Sequence, residues 1–199
     1  KLKICLTSFN RNTDFVYHDL IIHREKYKFL GKKVIRGAKL KSPVFTSLIK
    51  KGNIICNSSV VVRKSVIIKS NGFSENKDMI AAEDYNAWLR VSKISGKFKY
   101  INKALGYYFT NHGISFSRDM SKPTQVAINE FINDLNDKEK QEVFWKLSYM
   151  SGIFNLNKKN FNVSIKKLKA SSSSSDINIK IKSYLLIILV YLLIIFRVK

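Results

Sequence analysis

Glu83 and Asp84 are adjacent carboxylates that open an apolar-periodic run, ten residues beyond Phe73. Tyr85, Trp88 and Leu89 follow at helical spacing, so the pair should sit at a helix N-terminus. There the positive end of the helix dipole favours the ionised carboxylate. An ionised carboxylate in a cleft can take a proton from a hydroxyl group, which is general-base chemistry. The same spacing also suits a plain role in which Asp84 only caps the helix. Gly72-Phe73 reads as a turn ahead of the pair, and Ser58 and Ser59 offer hydroxyls on an apolar strand, where strand packing is their default. His18, Asp19 and His23 are ligand-type residues on or after one strand, but Asp19 lies in no D-x-D. They are not read as a metal site.

The elements that must position these groups are legible in outline. Leu2, Ile4, Cys5, Leu6 and Phe9 suit one side of a short helix, and Asp14 to Ile22 reads as a strand. Residues 25–41 are basic and turn-prone, and Ser42 to Lys50 suits a short helix. Asn57 to Val62 is a buried-strand candidate, and Arg63 to Ile67 is expected to turn toward Asn71-Gly72-Phe73. Asp84 to Ser95 is the clearest helix, ended by Gly96. Lys97 to Ile101 and Gly106 to Phe109 are strand-like. Beyond Asp119 the pattern turns helical. Val126, Phe131, Ile132 and Leu135 form one apolar stripe, and Val143, Phe144, Leu147, Met150 and Phe154 form another. Phe161, Ile165 and Leu168 continue the pattern against lysines, and Ser171 to Ser175 is a linker by composition.

The last segment, Tyr184 to Phe196, is unbroken apolar sequence between Lys180 and Lys182 on one side and Arg197 and Lys199 on the other. It is short of the roughly 20 apolar residues a spanning helix needs. Its basic flanks place docking on an anionic membrane surface ahead of burial in protein, and both ahead of spanning.

Composition bounds the partners. Among 199 residues, 36 are Lys or Arg and 14 are Asp or Glu, a net charge of +22. Such a field favours anionic partners: nucleic acid, anionic lipid or a phosphorylated substrate. A general bias toward Lys, Ile and Asn accounts for the charge equally well. Arg is scarce beside Lys, and base or phosphate readout leans on Arg forks, so nucleic acid is not expected as a partner. Cys5 and Cys56 lie among apolar residues without C-x-x-C or zinc spacing, which suits free thiols in a reducing cytoplasm. No signal peptide opens the chain, and it does not start with Met, as expected of a piece of a longer protein.

Four pieces recur in a familiar order: Asn57 to Ser65; Asn71-Gly72-Phe73-Ser74-Glu75; Ala82-Glu83-Asp84-Tyr85-Asn86-Ala87-Trp88-Leu89-Arg90; and Leu105 to Phe109 with His112 and Ser115. Together they resemble the second half of a bacterial family 2 glycosyltransferase. That family has a strand ending near an Arg, a Gly-Gly-Phe turn, an E-D helix carrying Trp and Arg, and a tyrosine strand leading to His and Ser. The likeness covers about Asp14 to Ser117, with Asn71 in place of the turn's first glycine. The resemblance implies an α/β fold with a partial GT-A, Rossmann-like sheet over residues 1–118; composition and periodicity add a helical extension and Ser-rich linker over 119–175 and an apolar helix over 176–199. It implies a transferase that moves a sugar from a nucleotide-sugar to a glycan or lipid-linked acceptor. Such chemistry serves cell-surface polysaccharide synthesis at the cytoplasmic face of the membrane.

By the same resemblance, Asp84 is the general base and Glu83 its neighbour and acceptor ligand. Gly72, Phe73, Ser58 and Ser59 line the acceptor or sugar site, and Trp88 and Arg90 support it. His112 resembles the late His that approaches the donor diphosphate or the metal. The family also uses a divalent metal, Mn or Mg, held by a D-x-D in its N-terminal half. No D-x-D and no glycine-rich phosphate loop occurs here, so the metal ligands are expected outside this chain. The residues up to Tyr17 match the segment after the D-x-D; in an alternative placement, Lys3 to Asn12 is the family's first strand ahead of an internal deletion. A rival reading from another class is a non-enzymatic basic module that binds anionic membrane or nucleic acid.

Overall fold

Aromatic and β-branched residues from Phe15 to Ile22 favour extended backbone, and Phe15–His23 forms strand β1. Its first six residues are buried, so β1 is the centre of the sheet rather than an edge. The structure is a computed structural model that describes residues 1–23, 33–109 and 118–196. The fold is α/β: a mixed four-stranded sheet and, among the described residues, eight α-helices. The chain divides into two units, Lys1–Asn76 with Ala82–Ile114, and Lys77–Ala81 with Ser115–Lys199.

In the first unit, helix α1 (Leu2–Leu6) precedes β1. Only Cys5 of this helix is buried, while Leu2 and Leu6 face outward. Lys3 to Leu6 is helical and Thr7 to Asn12 is turn and irregular backbone, so the alternative placement of Lys3 to Asn12 as a strand is corrected. One edge of β1 pairs in parallel with β4 (Phe98–Phe109), from Phe15↔Phe98 to His23↔Phe109, with register shifts around Asp19. The two strand-like segments read separately at Lys97 and Gly106 are thus one strand with an irregularity between them. The other edge of β1 takes two short antiparallel partners at opposite ends. Strand β2 (Val34–Ile35) pairs at Leu20 and Ile21, and β3 (Val61–Val62) pairs at Phe15 and Val16.

Three helices lie between these strands in sequence: α2 (Val44–Lys51), α3 (Lys64–Lys69) and α4 (Glu83–Ile94). Helix α4 is buried over most of its circumference, including Tyr85, Trp88, Leu89 and Val91. Trp88 meets Phe15 edge-on at 4.8 Å between ring centroids, and Phe15 stacks on Phe98 at 4.2 Å. This aromatic triad joins helix to sheet. Each buried ring contributes on the order of 2 kcal/mol by area removed from water. The expected buried strand over Asn57 to Val62 is corrected: Asn57–Ser59 is a 3-10 turn, and only Val61 and Val62 pair, half-buried. The segment after Arg63, expected to turn, is the short helix α3.

The second unit is helical: α5 (Ser121–Asn129), α6 (Asp137–Asn157), α7 (Phe161–Ser171) and α8 (Ile177–Ile195). The stripe read from Val126 to Leu135 is not one helix. Helix α5 ends at Asn129, and Phe131 and Leu135 are buried from the turn that follows. Helix α6 opens with a capping box in which Asn136 accepts from the Glu139 N–H at 2.9 Å and Glu139 accepts from the Asn136 N–H at 3.2 Å. Helices α6 and α7 pack closely at Gly152, where a Cβ would lie 2.8 Å from Leu168. Ser171 to Ser175 does join α7 to α8, but as a packed turn. Ser171 and Ser183 share a 2.7 Å hydrogen bond between buried hydroxyls, and Ser175 donates to Glu142. The run links the two helices as its composition suggests, with Ser171 and Ser174 buried and hydrogen-bonded within the fold.

Candidate functional site

Asp84 is the second residue of α4, and Ala82 occupies the N-cap position without a side-chain cap. The N-cap position is thus not Asp84's own, although its carboxylate does serve one free first-turn N–H, that of Tyr85. Its Oδ1 accepts from the Asn53 side-chain amide at 3.0 Å and from the Tyr85 N–H at 2.7 Å, and the Asn57 N–H also faces the carboxylate. Asn53 and Asn57 come from the loop after α2. One turn further along α4, the Trp88 indole donates to the Ile55 carbonyl at 3.2 Å, and the Tyr85 hydroxyl donates to the Leu48 carbonyl at 3.1 Å. Asp84 and Trp88 thus hold the loop after α2, while Tyr85 fastens α4 to α2 itself, and that loop holds the carboxylate in place.

Burial pushes the Asp84 carboxyl above the usual carboxylate value of 3.8. The hydrogen bonds from Asn53, Tyr85 and Asn57 oppose the rise, and the charge of Glu83 adds to it. The dipole argument from sequence expected the ionised form to be favoured; desolvation outweighs it. A carboxylate with a raised pKa is a better proton acceptor than a solvated one. Glu83 lies beside it with Oε2 buried and without a hydrogen-bond partner. The half-buried Cys56 thiol is also pushed up, by burial first and by the charge of Asp84 second.

The other predicted residues fall as follows. Asn71 and Gly72 both have left-handed backbone, φ 61° each. Asn tolerates that region better than other non-glycine residues, so its substitution for the family's glycine preserves the turn. Arg90 donates to the Ser70 and Gly72 carbonyls, both at 2.9 Å, and pins the turn to α4. Phe73 is 44% exposed and sits edge-on to Trp88 at 5.6 Å. Gly72 and Phe73 are thus fastened to the helix that carries Asp84, through the two residues read as supports. Ser58 is exposed, and its carbonyl accepts from Lys1 Nζ at 2.6 Å. Ser59 is buried with its hydroxyl on the Cys56 carbonyl at 2.7 Å. They share the loop that faces Asp84. His112 lies outside the described residues.

His18 and Asp19 are buried on β1. Asp19 Oδ1 accepts from the Tyr100 hydroxyl at 2.5 Å and from the Gly37 N–H at 2.9 Å, while His18 Nδ1 meets the Asp19 carbonyl at 2.7 Å. Asp19 ties β4 and the strand-edge loop to the sheet centre. Among the described residues, no three His, Cys, Asp or Glu side chains gather as a metal site would require. The described residues therefore offer no ligand set for the divalent metal of the resembled family.

Asn53 is the site residue that sequence reading missed. It lies 31 residues before Asp84, and nothing in its spacing signals the contact. No family model, curated protein or solved structure matches this chain.

Proposed function

We propose that this chain carries the acceptor side of a family 2 glycosyltransferase of the GT-A type. The observation that carries the reading is the Asp84 carboxylate. It stands at the start of a buried helix, is oriented by Asn53, and is made more basic by burial. The order of motifs supports the same reading, as does the fastening of the Gly72-Phe73 turn to α4 by Arg90. The parallel β1–β4 pair flanked by α4 suits a partial GT-A sheet.

In this mechanism, Asp84 takes the proton of an acceptor hydroxyl. The hydroxyl oxygen forms a bond to the anomeric carbon of the donor sugar as the bond from that carbon to the nucleoside diphosphate breaks, in one in-line displacement. The diphosphate leaves with the electron pair. Glu83, the neighbour of Asp84, would serve as an acceptor ligand. The proposed donor is a nucleotide-sugar, and the acceptor a glycan or lipid-linked glycan of cell-surface polysaccharide synthesis at the cytoplasmic membrane face. The family's divalent metal would be held by residues outside this chain.

The test is transfer of labelled sugar by the polypeptide of the complete reading frame, across a panel of nucleotide-sugars and lipid-linked acceptors. Product that requires one donor is the expected result. No transfer from any donor, with salt-dependent binding to anionic polymers that ignores Asp84, would favour the rival basic module instead.

A further inference from the structure

Helix α8 is apolar nearly all round, and among the described residues it is the helix long and apolar enough to cross a membrane. Only Ser183, Ile187 and Val190 are buried, and they form one narrow stripe. That stripe packs with Leu168 of α7, together with partly buried Tyr149, Phe161 and Ile165. At about 100° per residue, the opposite side of the helix is a second stripe: Ile177, Ile181, Leu185, Ile188, Leu192 and Ile195. All six are exposed, Leu185 at 60% and Ile195 at 70%. The stripe runs the whole helix, about 28 Å for its 19 residues.

Lys180 and Lys182 are exposed, and by the same angular count they fall on either side of this stripe rather than within it. From Lys158 to Lys182 the chain holds seven lysines and a single acid, Asp176. An exposed apolar face of this length is a docking surface. The lysines border only its first turns, and further along Tyr184, Leu189 and Tyr191 widen the exposed apolar face; the basic end fits anionic headgroups while the apolar side chains enter the acyl boundary. Orientation follows from the packing. Helix α7 lies against the other side of α8 and carries exposed Lys166 and Lys169. A spanning α8 would take those charges into hydrocarbon or give up the Leu168, Ile187 and Val190 cluster.

We infer that α8 docks lengthwise in the surface of an anionic lipid bilayer, with its Ile177-to-Ile195 stripe buried and its lysines on the headgroups. The inference does not depend on the sugar-transfer reading. The experiment is co-sedimentation of the full chain with vesicles of phosphatidylcholine containing about one-third phosphatidylglycerol, and with phosphatidylcholine alone. Expected results are binding to the anionic vesicles, weakening with salt, and release by alkaline carbonate. Ile188→Glu should lower the partition coefficient by roughly tenfold or more with helix content unchanged by circular dichroism. Lys180→Gln and Lys182→Gln should each lower it about fivefold. Retention after carbonate would overturn the lengthwise arrangement in favour of a span. Equal binding to neutral vesicles, or self-association without vesicle binding, would overturn the lipid assignment.

Discussion

Replacing Asp84 with Asn separates a structural role for this carboxylate from a chemical one. The substitution keeps an oxygen where Oδ1 accepts from Asn53 and from the Tyr85 N–H, and it removes the charge. Hydrogen bonds to an ion contribute about 1 kcal/mol more than neutral ones, so two such bonds weaken by about 2 kcal/mol in total. Against that stands the removal of a partly desolvated charge beside Glu83, a burial cost of several kcal/mol per ion. The raised pKa decides the sign: in the folded state the neutral form is favoured relative to the unfolded chain. Folded protein therefore binds more protons than unfolded protein between the unfolded value, near 3.8, and the higher folded value. Wild-type stability falls as pH rises through that window. Urea unfolding followed by circular dichroism should find Asp84→Asn at least as stable as wild type near pH 7, or within about 1 kcal/mol of it. The gap should close as pH falls below the unfolded value, where Asp84 is protonated in both states. A loss near neutrality of more than about 1 kcal/mol, the usual cost of a deleted cap, would refute the reasoning and make Asp84 a structural residue.

Other outcomes follow from single contacts. Gly72→Ala meets no atom within 4 Å but must adopt φ 61°, so it should cost about 1–2 kcal/mol in chemical denaturation. Gly152→Ala brings a Cβ to 2.8 Å from Leu168 and should destabilise the second unit by roughly 1–3 kcal/mol. Unchanged unfolding in either variant would contradict the corresponding geometry.

Much of the sheet was legible because local signals and tertiary environment agree. The aromatic and β-branched run after Asp14 forms β1, and the face of Tyr85, Trp88 and Leu89 is buried in α4 as the spacing predicts. Val60 to Val62 misled because three valines read as a buried strand, whereas only two residues pair with one end of β1. The serine run before α8 hid its packing for a different reason. Its composition is that of a solvated linker, but Ser171 and Ser174 are buried, Ser171 on Ser183 of α8 and the Leu168 carbonyl, and Ser174 on the Asp176 N–H. Periodicity does not reveal such pairings. At the site, the acidic pair and its supporting Trp88 and Arg90 were visible as a motif, while the partner that aims the carboxylate, Asn53, was not. Burial reversed the dipole argument for Asp84, and only the packed loop around it could show that.

The most direct test of the catalytic assignment is the turnover of Asp84→Asn in the polypeptide of the complete reading frame, measured beside wild type with the same nucleotide-sugar and acceptor. Loss of a general base should lower kcat by about 100- to 10,000-fold while the folded state persists. Near-normal turnover in that variant would contradict the account and remove Asp84 as the base.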